Sequence, residues 1–160
     1  MPVAWVRLMR AQQVQHQRLE AALLRDHDLT LAAYDVMLQL SWAPDGRLRP
    51  VDIARQMVVT QSGITRLLTS LERRGFVRRE AAESDGRVRA AVLTDDGWLV
   101  LAAAAASHVR NVDREFTQHL SGVELDALAE LLAKLPGGGL EITGPHPVAG
   151  RDTPKPRATG

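Results

Sequence analysis

Apolar positions recur at three- and four-residue intervals through most of this chain, and the interval shortens to two in one stretch only. That pattern predicts a mainly helical protein with one small β element. From Val3 to about Arg25 there is no Gly or Pro, and Trp5, Leu8, Met9, Leu19 and Leu23 fall on one stripe, so a long first helix is expected. Gln12 and His16 lie on the same stripe, and polar groups on a mostly apolar face suit a subunit interface or a pocket better than a dry core. Thr30 is placed to cap a second helix running to about Trp42, with Leu31, Tyr34, Met37 and Leu38 inward. Pro44-Asp45-Gly46 reads as a turn. Pro50 sits near the start of a short third helix, where its missing N–H costs nothing, and Ile53, Ala54 and Met57 form the buried face.

After Val58-Val59, Thr60 is a suitable N-cap for a fourth helix with Ile64, Leu67, Leu68 and Leu71 on one apolar stripe and Gly75 at its C′ position. The period then changes. Phe76 to Glu80 and Val88 to Val92 read as two short strands, with Ser84-Asp85-Gly86 as the turn between them. Thr94 caps a long alanine-rich fifth helix, with Asp95 and Asp96 favourable in its first turn. Along it Trp98, Leu101, Ala105, His108, Val112, Phe116 and His119 repeat at three-four spacing, close to a heptad seam. Ser121 and Glu124 form a capping box for a sixth helix with Leu125, Leu128, Leu132 and Leu135 on one face, ended by Pro136-Gly137. Residues 137–160, rich in Gly and Pro with few apolar positions, are expected to be a flexible tail.

Composition adds exclusions. Aromatics make up only 4% of the chain, so the core must come mainly from Leu, Val and Ala, which favours helix. The net charge of +1 does not speak for nucleic acid, and the scarcity of lysine (Lys134 and Lys155 among 20 basic residues) reads as the mark of a GC-rich genome. With no cysteine, disulfides, thiolate metal sites and thiol redox sensing are excluded. The five histidines show no close paired spacing, so no metal site is expected. The N-terminus lacks a signal-peptide core and the longest apolar run, Trp98 to Ala106, is far short of the ~20 residues a membrane span needs. A cytoplasmic protein without membrane contact is therefore expected. There is no phosphate-binding glycine loop, H-E-x-x-H or nucleophile elbow, so an enzyme is not expected.

The order helix, helix, short helix, turn, helix, hairpin describes a winged helix-turn-helix. Opposite its apolar stripe, the fourth helix carries Gln61, Ser62, Thr65, Arg66, Thr69 and Arg73, residues that hydrogen-bond base edges or phosphates, with no acid before Glu72. Gln61 matches adenine bidentately and Arg66 guanine. A polar outer face alone is the ordinary solvated side of an amphipathic helix. The neighbouring hairpin shifts the balance: six arginines lie between Arg73 and Arg89 against Glu80, Glu83 and Asp85. Arg87 at the wing tip suits a narrow minor groove, with Asp85 holding its guanidinium or serving only the turn.

From Leu29 to Gly97, and in its helical flanks to Leu135, the chain resembles the MarR family of bacterial regulators. The resemblance is carried by Leu48-Arg49-Pro50, Thr60-Gln61-Ser62-Gly63-Ile64-Thr65-Arg66-Leu67, Leu71-Glu72-Arg73-Arg74-Gly75-Phe76-Val77-Arg78-Arg79, Asp85-Gly86-Arg87 and Leu93-Thr94-Asp95-Asp96-Gly97. It implies a mainly α fold with a small β-wing, divided into an N-terminal dimerisation helix (1–28), a winged helix-turn-helix (29–97), C-terminal dimerisation helices (98–136) and the tail (137–160). It also implies a homodimeric repressor reading double-stranded DNA at a pseudo-palindrome with half-sites ~10 bp apart. Arg49, Thr60 and Arg89 complete the expected DNA contacts. Trp5, Leu8, Trp98, Leu101, Val109, Val112, Phe116, Leu128 and Leu132 are the expected dimer contacts. A small aromatic or phenolic effector is implied too, with His16, Tyr34, Trp42 and His108 as candidate lining residues and no other cofactor. Two alternatives stay open: a winged-helix DNA binder without a small-molecule ligand, and a protein-interaction module on the same fold.

Overall fold

The computed structural model describes residues 2–43, 46–57, 61–82 and 85–137, without the side chains of Gln56, Gln61, Ala82 and residues 85–89. The Thr60 cap, the 83–84 part of the hairpin turn, most of the Pro44-Asp45-Gly46 turn and the tail beyond Gly137 lie outside the described residues. In chain order the elements are α1 (Val3–His27), α2 (Leu31–Trp42), β1 (Arg47–Leu48), α3 (Pro50–Gln56), α4 (Gln61–Arg73), β2 (Val77–Ala82), β3 (Asp85–Leu93), α5 (Asp95–Glu115), a 3-10 turn (Thr117–His119) and α6 (Gly122–Ala133).

Local chemistry accounts for the element ends. The Thr30 side chain accepts from the Ala33 amide at 3.1 Å and opens α2. Thr94 accepts from the Gly97 amide at 3.0 Å and opens α5. Ser121 and Glu124 make the reciprocal capping box of α6. Pro50 is at the start of α3. Asp28 ends α1 in the left-handed region, with φ 53°, and lets the Leu29 amide turn back to the Leu23 carbonyl at 3.3 Å. Gly75, with φ 78°, does the same after α4, where the Phe76 amide reaches the Leu71 carbonyl at 3.0 Å.

One core joins the helices to the sheet. Leu23, Tyr34, Val36, Met37, Leu40, Ile53, Ile64, Leu68, Leu71, Val77, Leu93 and Leu101 are all within a few percent of complete burial, and Leu67 packs at its margin. The sheet is antiparallel in the order β1-β3-β2. β1, a two-residue strand too short to show a period, is a feature the sequence pattern did not reveal; Arg47 and Leu48 pair with Val92 and Ala91.

Two expectations are corrected. The strands are longer than the apolar alternation predicted, and Asp85 and Gly86 belong to β3 rather than to the turn, because Ala82 pairs with Asp85 and only 83–84 intervene. The fifth helix does not carry its stripe through Phe116 and His119. It stops at Glu115, with Phe116 at φ −134°, ψ −64°. The Thr117 hydroxyl takes the Asp113 carbonyl and carboxylate, and Gln118 Nε2 takes the Arg114 carbonyl, so side chains satisfy last-turn oxygens and the chain turns away.

Candidate nucleic-acid interface

α4 stands on the core through Ile64, Leu68 and Leu71, each at most 1% exposed, and this fixes which side faces out. Ser62, Thr65, Arg66, Thr69 and Arg73 are exposed on that side. Gln61 is the first residue of the helix; its side chain is outside the described set. The wing strands follow directly through Gly75 and Phe76, so the exposed side of α4 and the β2-β3 hairpin form neighbouring surfaces of one unit. The side chains of Asp85, Arg87 and Arg89, and hence the expected Asp85–Arg87 ion pair, are outside the described set. The backbone shows where they start. Pairing is regular from Val77↔Leu93 to Ala81↔Arg89 and then shifts, so that Ala82 meets Asp85, and Gly86, Arg87 and Val88 fall inside the irregularity.

Carboxylates occupy several of the arginines. Arg49 grips Asp52 with two hydrogen bonds of 2.6 and 3.0 Å. That bond, and the nearby charges of Arg49 and Arg55, hold the Asp52 carboxyl below the usual carboxylate range. Arg47 and Arg78 share Glu80 at 3.0 and 2.6 Å. Arg79 lies 3.2 Å from Glu72, and Arg74 lies 3.2 Å from Asp28 while stacking 4.7 Å above the Phe76 ring. Among the described residues, Arg66 and Arg73 are exposed cations of α4 without an ion pair. An anion approaching this face would meet those two guanidinium groups with their charge unspent. Thr69 differs from the other outward residues: its hydroxyl donates to the Thr65 carbonyl at 2.9 Å and accepts from Arg79 at 2.9 Å.

The expected effector residues fall into separate places. Tyr34 is buried on α2 and its ring meets the His108 ring of α5 at 4.8 Å between centroids. Burial pushes the Tyr34 hydroxyl well above its ordinary pKa. His16 is exposed on α1, 3.6 Å from Glu20. Trp42 is at the far end of α2, eight residues or ~12 Å of helix from Tyr34, and packs against the core. Pattern reading passed over Asp35, beside Tyr34. Burial raises its carboxyl to about 6, an effect opposed by the charge of His16. The available signal was a lone acid within the apolar run from Leu31 to Leu38.

Asp35 therefore makes a pH prediction. Its folded value lies above the ordinary 3.8, so the ionised carboxylate is the destabilising form. Stability should fall as pH rises from about 4 to about 6, because the unfolded chain ionises first, and then level off. Asp35→Asn should remove that slope. Urea unfolding of both proteins at several values between pH 4.5 and 7.5 measures it; an unchanged slope would show that Asp35 is ordinary.

Among the expected dimer contacts, Trp5 and Phe116 are 51% and 37% exposed, while Leu8, Trp98, Val109, Val112, Leu128 and Leu132 are half-buried. Leu101 is a correction. At 1% exposure it lies in the chain's own core, as does Ala105, so neither is available to a partner. That part of the seam faces α1 and α2 because the fifth helix must first close its own fold. No residue of α6 is buried, and Val123, Leu131 and Leu135 are 79%, 59% and 48% exposed. Among the described residues, no cluster of His, Asp and Glu suits a metal ion, and no helix is long and apolar enough to cross a membrane.

Comparison with known proteins gives this geometry a context. Residues 27–88 match the model of the MarR family. An HTH-type transcriptional regulator from Bacillus cereus is 33% identical over 132 residues, covering 82% of this chain and 85% of the relative. Sco3205, a MarR family transcriptional regulator from Streptomyces coelicolor solved in complex with DNA, superposes with a TM-score of 0.76 at 30% identity, covering 81% of each chain. A mutant MarR from Escherichia coli complexed with operator DNA superposes with a TM-score of 0.74 at 26% identity, covering 84% of this chain and 95% of that one. With its helical frame, its small antiparallel wing and these relatives, the chain belongs to the MarR family of winged helix-turn-helix transcriptional regulators.

Proposed function

We propose that this regulator is a cytoplasmic homodimeric repressor that reads a pseudo-palindromic site in double-stranded DNA. The observation that carries the reading is the exposed side of α4. Ser62, Thr65, Arg66 and Arg73 face out from a helix anchored by Ile64, Leu68 and Leu71, with no ion pair on either arginine among the described residues. Gln61 and Arg66 read base edges, Ser62 and Thr65 reach phosphates or bases, Arg73 and Arg49 face phosphate, and Arg87 and Arg89 bring the wing to the minor groove. Two relatives are solved in complex with DNA, and the same use is inferred for this chain. Two copies joined through α1, α6 and the outer part of α5 present two such helices, with half-sites ~10 bp apart. An aromatic or phenolic acid acting beside Tyr34 and His108 would loosen DNA binding.

Selection of bound sequences from random duplexes of about 30 bp, long enough for two half-sites, tests the reading. An inverted repeat should be enriched, and affinity for it should fall steeply with added salt. No enrichment together with no salt-dependent binding would remove it. Arg66→Ala should cost about 1–3 kcal/mol on the selected site and relax one position of each half-site. An equal loss on every sequence would make Arg66 a phosphate contact.

A further inference from the structure

We propose that Arg79 is a positioning residue: it fixes the rotation of α4 against the wing, with Thr69 and Glu72 as its receptors on the helix. The inference rests on the DNA-binding reading of α4 and extends it to a residue that reads nothing itself.

Three observations meet at this side chain. Arg79 projects from β2, yet its terminal nitrogen donates to Thr69 Oγ1 at 2.9 Å and its Nε is 3.2 Å from Glu72 Oε2. Thr69 and Glu72 are three residues apart, so one guanidinium spans a single turn of one helix face. The Nε atom is shielded from solvent and makes no hydrogen bond, so Glu72 holds it by charge alone. The side chain as a whole is 24% exposed, so Arg79 lies flat between helix and strand instead of reaching outward. Thr69 passes the contact on: its own proton goes to the Thr65 carbonyl at 2.9 Å, one turn closer to the end expected in the groove. Its hydroxyl is thus engaged on both sides, as donor and as acceptor, and the Thr69 side chain acts as an anchor instead of a base contact.

The physical need for such a link is plain. α4 and the wing address different grooves, and a small rotation of the helix about its axis moves every outward side chain off its base edge. The apolar contacts of Ile64, Leu68 and Leu71 resist separation but not slight rolling, since dispersion contacts have no direction. A planar guanidinium that makes a directed hydrogen bond to Thr69 while its Nε edge lies against the Glu72 carboxylate does have direction, which lysine cannot reproduce.

The test uses the full-length protein, the site selected above and a random-sequence duplex of equal length as probes, with affinities read by fluorescence anisotropy over a range of salt. Arg79→Ala should weaken binding to the selected site by about tenfold or more, while binding to the random duplex and the salt slope stay as in the wild type. Thr69→Val should give a similar selective loss, and the double variant should be no worse than the stronger single one. Arg79→Lys should keep random-duplex binding and still lose selectivity, which preserves the test if the alanine variant unfolds. A loss shared by both duplexes with the slope reduced by about one would make Arg79 a phosphate contact and overturn the proposal. Unchanged affinity for both, or additive losses in the double variant, would overturn it as well. If the wild type itself selects no sequence, it is the DNA-binding reading that fails.

Discussion

Gly97→Ala should destabilise the protein by about 3 kcal/mol, although alanine is ordinarily the better helix former by about 1 kcal/mol. Gly97 is a buried residue in the first turn of α5, and its backbone conformation accepts any residue. The obstacle is space. A Cβ there would stand 2.0 Å from the Phe76 carbonyl oxygen and 3.2 Å from a Leu93 methyl. That oxygen cannot retreat cheaply, because it accepts the Thr94 amide at 3.1 Å. Thr94 is itself tied down, donating its hydroxyl to the Gly75 carbonyl at 2.6 Å while accepting from the Gly97 amide. The methyl group therefore pushes on the junction where α4 ends, the wing begins and α5 starts. Gly122→Ala is the control: it lies at the start of α6 with nothing within 4 Å of the added carbon, and stability should be unchanged or slightly raised. Urea unfolding of the two variants decides the matter; equal midpoints would mean that the junction yields.

Leu128→Asp combined with Leu132→Asp should convert the proposed dimer to a monomer and lower affinity for the selected DNA by about a hundredfold or more. The two leucines are one helical turn apart on α6 and only half-buried within the protomer. Two carboxylates there would meet little inside their own chain, so the protomer should still fold. In a dimer they would be desolvated against a partner's apolar surface, which is costly for each charge. The DNA effect is larger than any single contact because the second half-site would be lost from the same molecule, together with the effective concentration that joins two binding events. Sizing measurements with DNA titration check both parts. A dimer that survives the double substitution would assign the interface to α1 and α5 alone.

The sequence pattern showed much of this arrangement because most of the determinants are local. Thr30, Thr94, Ser121 and Gly75 mark helix ends through bonds to residues within a few positions. The stripe of Ile64, Leu68 and Leu71 sorts α4 into an inner and an outer side. What escaped notice depends on distant partners. Leu101 has the spacing of a seam residue whether it faces a second subunit or its own α1 and α2, and periodicity does not distinguish the two. Thr69 looks like its exposed neighbours until Arg79, ten residues on, is seen to reach it. The basic stretch around the wing read as a field of positive charge, yet Glu72 of α4 pairs with Arg79 of β2, and Glu80 of β2 pairs with Arg47 of β1.

The short strand β1 has a mechanical consequence. It pairs with β3 only at Val92 and Ala91, so β3 is held on both edges at its root and on one edge from Ala90 outward. Arg47 of β1 adds a tether there through Glu80 of β2. The hairpin is thus a cantilever, clamped where it joins the helices and carried by the β2–β3 pairing alone from Ala90 outward. Under the proposed DNA reading, a wing held in this way keeps its root, and with it the helix that shares that root, in place against the duplex.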